Sequence, residues 1–281
     1  MADKAHKLLR LYALYARLDL RWVLQDRAAA AFVMAAELVA GVAAAAGVGL
    51  LAVRFGGVGG LNADEVLFML GFFELASGFT NMMFGGGNAL CISRRVARGQ
   101  LDHMLIQPIP LWMQLLGEGF MPASGSGGFI TGLAITWIAC ARLGLAVTPA
   151  WLLALLLYVA CHALFKIGQG YLYGAAAFYK PVACEEISAQ VIDLNNLLGR
   201  YPIAGLPAWA TALMTTACPA ALAAYLPSLV LLGKLNRGSA PALPIVVAAA
   251  FMAAAAYFFK KGLKHYAVYG SSRYRDLGHR G

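Results

Sequence analysis

The side chains that could do chemistry in this chain are polar groups inside long apolar segments. Three of these segments carry polar residues at helical spacing, which predicts one polar face on each of three helices. The three faces hold Glu74, Ser77, Asn81, Gly85 and Asn88, then Tyr158, His162, Lys166, Gln169 and Tyr173, and then Glu186, Gln190, Asp193, Asn196 and Arg200. A charge in hydrocarbon costs at least about 2.5–3.5 kcal/mol, so such groups face protein or water. They either hydrogen-bond one helix to another or line a partly polar path for a substrate.

The sequence lacks the patterns of common catalytic and nucleotide sites. No GxxxxGK[ST] loop is present, and the nearest approach, LVLLGKL from Leu229, has neither the glycines nor the hydroxyl that bind phosphate and magnesium. HExxH, GxSxG and a cluster of aspartates for metal and diphosphate are also missing. The five cysteines include no CxxC pair, which argues against a zinc site. We therefore expect no catalytic residue, no metal and no cofactor bound by this chain.

Composition assigns the chain to the polytopic membrane proteins with an all-α fold. Of its 281 residues, 61% are hydrophobic and 12% are charged, and the mean hydropathy is +0.69. The net charge of +9 comes from Lys and Arg at the ends of apolar segments and at the termini, where membrane lipids and topology account for it. We therefore expect contacts with membrane lipids and none with nucleic acid.

Six apolar segments predict six transmembrane helices. Residues 1–27 alternate basic and apolar faces at helical spacing, which predicts an amphipathic helix on the membrane surface. The first apolar run is too long for a signal peptide, so we expect it to be retained as a span. This run carries one carboxylate, Glu37, which we expect to bond to a neighbouring helix rather than to line a substrate path. The predicted spans are 28–53, 66–92, 117–140, 150–179, 184–199 and 244–259, within a transmembrane domain of residues 28–265 that is followed by a tail of residues 266–281.

The apolar stretch 207–232 is interrupted by Pro219 and Pro227, and it is compatible with a full span or with two half-helices. Short basic loops remain on the cytoplasmic side of a membrane. A re-entrant outer element at 207–232 places most Lys and Arg on that side, together with both termini. A full seventh crossing moves the basic C-terminal tail outside. Charge therefore favours six spans, an outer re-entrant element before the last span, and cytoplasmic N- and C-termini.

A charged segment between the second and third spans, residues 93–116, reads SRRVARGQLDHMLIQPIPLWMQLL and is here called the basic loop. A helix would break at Gly99 and restart over residues 100–106, with Asp102 near its positive end. Pro108 stops that helix, and the next proline suits the first turn of the helix that follows. The pattern predicts a compact helix-break-helix element on the cytoplasmic side.

The pattern RRxxxGxLDxxLIxPxP in the basic loop resembles the cytoplasmic loop of type-two ABC exporter permeases. The basic ending KKGLKHY at residues 260–266 and the six apolar segments are similar to the same family. In that family the loop docks on a separate ATP-hydrolysing subunit. The resemblance therefore implies an ATPase-coupling role for Arg94, Arg95, Arg98, Gly99, Leu101, Asp102, Leu105 and Pro108.

The resemblance also implies the partners and the mode of action. The chain would be a membrane-spanning permease subunit in the cytoplasmic (inner) membrane, moving a substrate by alternating access. Its partners would be two copies of a separate ABC ATPase subunit, which hold ATP and Mg, and a second permease, identical or related. The substrate path would use Glu74, Asn81, His162, Lys166, Gln169, Asp193 and Asn196.

Other functions are compatible with the sequence alone. If the family pattern is set aside, the arginines of the basic loop indicate only that the loop lies on the cytoplasmic side of the membrane. The intramembrane acids would then suit a self-sufficient channel or an ion-coupled secondary transporter. An integral-membrane enzyme is a third class, although no site for it can be assembled from these residues.

Two expectations concern geometry. Leu101 and Leu105 should lie at a water-exposed surface if the basic loop docks on a partner. Lys166 and Asp193 lie 15 residues before and 12 residues after Pro181, which we take as the tip of a hairpin. They would then have nearly the same depth in the membrane, so we hypothesise that they face each other across the helix pair as a buried pair or share a hydrated path.

Overall fold

The computed structural model describes residues 2–86, 90–204, 206–215, 219–235, 238 and 240–270. Within those ranges the backbone forms α-helices and short 3-10 turns and no extended strand, so the all-α prediction is confirmed. The helices are α1 (Ala2–Gln25), α2 (Arg27–Arg54), α3 (Ala63–Phe84), α4 (Ile92–Ala97), α5 (Gln100–Leu105), α6 (Leu111–Gly117), α7 (Ser126–Leu143), α8 (Pro149–Gly174), α9 (Pro181–Leu198), α10 (Ala208–Thr215), α11 (Tyr225–Leu231) and α12 (Leu243–Tyr269).

Among the described residues, five helices are long and apolar enough to cross a membrane. They are α2, α3, α7, α12, and α8 with its 3-10 extension, Pro149–Phe178. Taken together, α10 and α11 are also long and apolar enough to cross a membrane, but the axes of the two parts differ by 64°. Residues 207–232 therefore do not form one straight span, and a new 3-10 turn follows Pro219, where the sequence predicted an interruption. The chain is a multi-pass membrane protein.

The predicted fifth span, α9, differs from the other spans in polarity. It is 18 residues long and carries Glu185, Glu186 and Asp193, so it is not among the five apolar span candidates. Each of those charges would be costly beside lipid. α9 packs against α4 and α8, which shelter one of its sides.

The second and third spans have boundaries that differ from the prediction. α3 ends at Phe84 rather than at Ile92, and α7 begins at Ser126 rather than at Gly117. The start of α7 is set by Gly125, whose φ of +87° interrupts any helix that would enter from α6. Because other residues rarely adopt that φ, glycine is favoured at this turn.

The chain that follows α3 and the chain that precedes α7 hold each other in place. The Gly86 N–H donates to the carbonyl of Gly119 at 2.8 Å. The Met121 N–H donates to the carbonyl of Met82 at 2.9 Å. These bonds satisfy backbone groups that a continuous helix would have paired internally, which membrane proteins require of non-helical backbone.

Small residues allow α3 and α7 to pack at close range. A Cβ at Gly78 would overlap the backbone of Phe129, and a Cβ at Gly132 would overlap the backbone of Leu75. A Cβ at Gly71 would lie 2.6 Å from the backbone of α7. We call Gly71, Gly78 and Gly132 the glycine seam. Small residues at such contacts let helices of membrane proteins approach closely.

α1 is a separate helix that packs against α6. The Asp26 side chain accepts a hydrogen bond from the N-terminus of α2 at 3.0 Å, so α2 starts anew after a turn. Leu11 approaches Gly117, where a Cβ would lie 3.1 Å from the leucine side chain. The Tyr12 hydroxyl donates to the carbonyl of Met83 at 3.1 Å. α1 therefore lies on the side of the molecule where α3 ends.

Candidate functional site

The basic loop forms two short helices and leads into a third. α4 ends at Ala97, Gly99 adopts a left-handed φ of +68°, and α5 follows over Gln100–Leu105. Pro110 then caps the start of α6. A residue with a side chain is strained at the φ of Gly99, so glycine permits the sharp break. The predicted helix-break-helix element is present.

α5 has a buried face and an exposed face. Leu101 has none of its surface exposed and Met104 has 6% exposed, and residues three apart lie on one side of a helix. On the other side, Leu105 is 42% exposed and Ile106, directly after the helix, is 82% exposed. The buried pair anchors α5, while the exposed pair offers an apolar surface.

The buried face of α5 contacts parts of the chain that are distant in sequence. We call this group the anchor cluster. Its buried members are Ile92, Val96, Leu101, Met104, Leu115, Ala175, Ala177, Phe178 and Tyr266. The expectation that Leu101 lies at a water-exposed surface is wrong, because α4, the 3-10 turn after α8, and α12 cover it. The expectation for Leu105 agrees with its exposure.

The basic ending at residues 260–266 packs on the basic loop. Gly262 lies so close to Phe178 that a Cβ would overlap the ring. Tyr266 is buried, and its hydroxyl donates to Oδ1 of Asp102 at 2.8 Å. The two segments that carry the family resemblance therefore form one structural unit.

Two arginines of the basic loop form ion pairs within the chain. Arg95 is buried, and its guanidinium lies 2.6 Å from the carboxylate of Glu118. Arg98 is exposed and lies 3.1 Å from the carboxylate of Glu185 on α9. Removing one partner of a buried charge pair is strongly destabilising, so the loop depends on Arg95 and Glu118 together. Arg94 is half-buried.

A polar cavity of about 220 Å³ lies between α2, α3, α8 and the end of α9. Residues from all three predicted polar faces meet in it, together with the lone carboxylate of α2. Its polar side chains are those of Glu37, Glu74, Ser77, Asn81, Lys166, Asn196 and Arg200. The polar faces that the sequence placed on separate helices therefore converge.

Both cations of the polar cavity have partners on another part of the chain. The Arg200 guanidinium lies 3.1 Å from the buried carboxylate of Glu74 and 5.3 Å from the centre of the Phe73 ring. The Lys166 ammonium donates a hydrogen bond to the side-chain carbonyl of Asn196. Ion pairing and ring contact offset part of the cost of removing these groups from water.

Glu37 joins α2 to the start of α7. Its two carboxylate oxygens lie 2.8 and 2.7 Å from the backbone N of Gly125, which donates the hydrogen bond. Gly125 is the N-cap of α7, and a carboxylate at the positive end of a helix dipole is stabilising. The bond between helices that the sequence favoured for Glu37 is present, and the same side chain lines the polar cavity.

A family model described as ABC-2 family transporter protein matches residues 39–270. The chain belongs to the ABC-2 transporter family. The matched range includes the basic loop, the lining of the polar cavity except Glu37, and the ending at residues 260–266. Comparison with curated proteins found no match, and comparison with solved structures found none either.

Membership in the ABC-2 family supports assignment of the chain as an ABC permease subunit, which agrees with its several apolar helices. Permeases of this family are membrane subunits that lack an ATPase site of their own and work with an ABC ATPase subunit. The assignment that the sequence pattern gave, a type-two ABC permease, is confirmed.

Most of the predicted path residues of this ABC-2 permease lie together. Glu74, Asn81, Lys166 and Asn196 line the polar cavity. Asp193 does not, because it lies on an exposed side of α9. A direct ion pair of Lys166 with Asp193 is therefore absent, and that part of the hypothesis is wrong. Lys166 bonds instead to Asn196, about one turn farther along α9.

His162 and Gln169 are buried in the permease but do not line the polar cavity. Nδ1 of His162 lies 2.8 Å from the carbonyl oxygen of Ala223, which can only accept, so Nδ1 carries the proton. Nε2 then accepts from the hydroxyl of Ser77, at 3.3 Å. These bonds tie α8 to α3 and to the 3-10 turn at Ala220–Leu222. Gln169 is fully buried.

Sequence reasoning missed three residues that support the basic loop of the permease. Glu118 and Glu185 pair with its arginines, and Tyr266 bonds to Asp102. Glu118 is the only carboxylate between Asp102 and Glu185 in the sequence, and that isolation was a usable signal. Within the described ranges, no group of three or more His, Cys, Asp or Glu could hold a metal ion.

Proposed function

We propose that this permease moves a substrate across the cytoplasmic membrane by alternating access, powered by a separate ABC ATPase that docks on α5. The observation that carries this proposal is the exposed apolar surface formed by Leu105 and Ile106 beside the exposed Pro108. This surface lies on a helix-break-helix element whose other face is anchored. Exposed apolar side chains that cluster on an ordered element are typical of protein contact sites.

The contacts of α5 provide a route for force into the membrane-spanning helices. The Gln114 amide on α6 donates to the carbonyl of Met104 at 2.9 Å, and the Tyr266 hydroxyl on α12 donates to Asp102 at 2.8 Å. Arg98, just before α5, pairs with α9. A displacement of α5 by a closing ATPase pair would therefore reach α6, α9 and α12. Such contacts support a movement between two states.

We infer that the polar cavity is part of the substrate route. The charge of Glu74 is matched there by Arg200, and Asn81 and Asn196 add amide donors and acceptors. A substrate would therefore meet a mixed polar surface rather than a field of one sign. A second permease, identical or related, would supply the opposing wall.

The proposal assigns the basic loop and both termini to the cytoplasm. α1 lies beside α6 and the end of α3, so the interfacial helix and the basic loop share one side of the molecule. ATP and Mg would be held by two copies of the ATPase, and this chain would bind neither. The transmembrane domain would cover residues 28–265, and the part of the predicted tail after Gly270 lies outside the described residues.

Co-purification with the ATPase tests the proposal. Ile106→Asp should reduce ATPase recovery and ATP hydrolysis by the purified complex at least about tenfold, because a carboxylate replaces an apolar contact at an interface. Val147→Asp, at an exposed residue of the loop between α7 and α8, is the matched control and should retain both. Equal recovery with the two variants would contradict docking at α5. A self-sufficient channel or ion-coupled transporter would transport without any ATPase.

A further inference from the structure

An apolar groove of about 520 Å³ runs between α6, α8 and α12. Its volume is in the range of cavities that hold small ligands. Its walls are almost entirely apolar and include Leu115, Leu116, Ile167, Met252, Ala256 and Leu263. We call it the α12 groove.

The α12 groove extends from one membrane surface into the hydrocarbon. Lys260 lines its end, about 17 residues or about 26 Å along α12 from Leu243. That distance approaches the thickness of the hydrocarbon core, about 30 Å, so Lys260 lies near the membrane surface. Met252 lies about 12 Å deeper along the same helix. The groove therefore runs from the membrane surface into the hydrocarbon, as a lipid acyl chain does.

The end of the α12 groove is cationic. Lys260 and Lys264 are both exposed and lie one turn apart, on the same side of α12. Trp112, 46% exposed, lines the groove from α6. Tryptophan and lysine are typical of the level of lipid headgroups.

We propose that the α12 groove binds an acyl chain of an anionic phospholipid, whose phosphate is held by Lys260 and Lys264. Three observations select a lipid. The groove has an apolar interior and a cationic end at headgroup depth, and it lies on α12, a helix of whose most apolar segment only 17% is buried inside the protein. Basic pockets between membrane helices bind anionic headgroups in this manner.

A lipid in the α12 groove would contact the support of the basic loop. Leu115 lines the groove and belongs to the anchor cluster, which also contains Leu101. Leu263 lines the groove and packs against the same cluster. An acyl chain there would fill space beside the residues that hold α5. The lipid site does not depend on the proposed docking of an ATPase.

A second groove, on the other side of α12, provides a matched control. It has about 570 Å³, and its mainly apolar lining also contains the polar side chains of Tyr173, Tyr179, Ser188 and Lys261. Lys261 directly follows Lys260 but faces this second groove. Exchanging one lysine or the other therefore changes the charge equally at two different sites.

Thermal unfolding of the delipidated, detergent-solubilised chain tests the proposal. Dioleoyl-phosphatidylglycerol should raise Tm by about 3 °C or more in a saturable manner, and dioleoyl-phosphatidylcholine should raise it by less than half of that. Lys260→Gln should reduce the difference between the two lipids, and the double variant Lys260→Gln with Lys264→Gln should abolish it. Lys261→Gln should keep it. Native mass spectrometry should show one phosphatidylglycerol retained by the wild type and by Lys261→Gln, but not by the double variant.

Three results would overturn the lipid site. Equal stabilisation of the wild type by the two lipids would mean that the headgroup charge is not recognised. Stabilisation by glycerol 3-phosphate alone, to the same extent, would mean a phosphate site without an acyl chain. An unchanged response of Ala256→Phe, which narrows the groove, would place the lipid elsewhere. If that variant does not fold, Ala256→Met serves the same purpose with a flexible side chain.

Discussion

The hydroxyl of Tyr266 donates a 2.8 Å hydrogen bond to Oδ1 of Asp102, across 164 residues of sequence. Tyr266 is buried, whereas Asp102 is exposed on α5. The bond joins the last turns of α12 to the helix that we propose as the ATPase contact. The end of the last span and the basic loop should therefore move together.

Tyr266→Phe tests that connection. The ring and its edge contact with Phe178, at 5.7 Å, would remain, whereas the bond to Asp102 is lost. We expect a loss of about 0.5–1.5 kcal/mol in stability and a lower rate of ATP hydrolysis by the complex. Tyr269→Phe, at a residue 70% exposed, is the control. Identical ATPase rates for the two variants would show that the bond does not contribute to coupling.

Substitution of Leu101 should mainly lower stability, whereas substitution of Leu105 should mainly lower ATPase recovery. Leu101→Ala removes buried methyl groups from the anchor cluster and should cost about 2–5 kcal/mol of stability. Leu105→Ala lies at the exposed surface and should cost less than about 0.5 kcal/mol while weakening ATPase recovery. Thermal unfolding in detergent and co-purification measure the two effects. A Leu101→Ala variant as stable as the wild type would contradict the burial of the Leu101 face of α5.

The Glu74 and Arg200 pair in the polar cavity should behave as a buried ion pair. Arg200→Gln leaves the Glu74 carboxylate without its cation and should cost about 3–5 kcal/mol of stability. Glu74→Gln combined with Arg200→Gln should recover most of that loss. Arg142→Ala, which breaks an exposed pair with Asp64, should cost about 0–1 kcal/mol. Additive effects of the two cavity substitutions would argue that the side chains do not interact.

The packing of α1 should depend on pH through Asp19. Burial raises the pKa of the Asp19 carboxyl, and the nearby carboxylate of Glu118, which is paired with Arg95, raises it further. A raised pKa means that the folded state holds the proton more tightly than the unfolded chain does. Stability is therefore lost as pH rises through the folded-state pKa and gained as pH falls toward the usual value of about 3.9.

Thermal unfolding at a series of pH values below 7 should show this gain for the wild type. Asp19→Asn should show a smaller dependence, because it removes the titrating group. Asp64→Asn removes one carboxylate from an exposed ion pair and is the control for that loss of charge. A pH profile of Asp19→Asn that matches the wild type would assign the dependence to another group.

Features decided by local geometry were predictable from the sequence. The break at Gly99 follows from the residue that adopts this φ most readily, and it separates two segments of helical spacing. The interruption at Pro219 follows from the missing N–H of proline. The convergence of the polar faces was also predictable in outline, since charges inside a membrane must meet protein or water.

Features decided by long-range packing were not predictable. The buried side of α5 is set by Phe178 and Tyr266, which lie far away in the sequence. Asp193 and Asn196 belong to the same predicted polar face, and the rotation of α9 about its axis decides which of them meets Lys166. That rotation depends on packing against α8, and no local pattern in α9 specifies it.

The glycine seam has a consequence for genetic mapping of this transporter. Substitutions at Gly71, Gly78 and Gly132 would push α3 and α7 apart, since any Cβ there meets the backbone of the opposite helix. In a saturation-mutagenesis screen for lost transport, these positions should score as strongly as Glu74. A map of sensitive positions would then trace a line of residues that have no side chain, and of these three glycines only Gly78 lines the polar cavity. Screening for surface expression in parallel would separate the two groups.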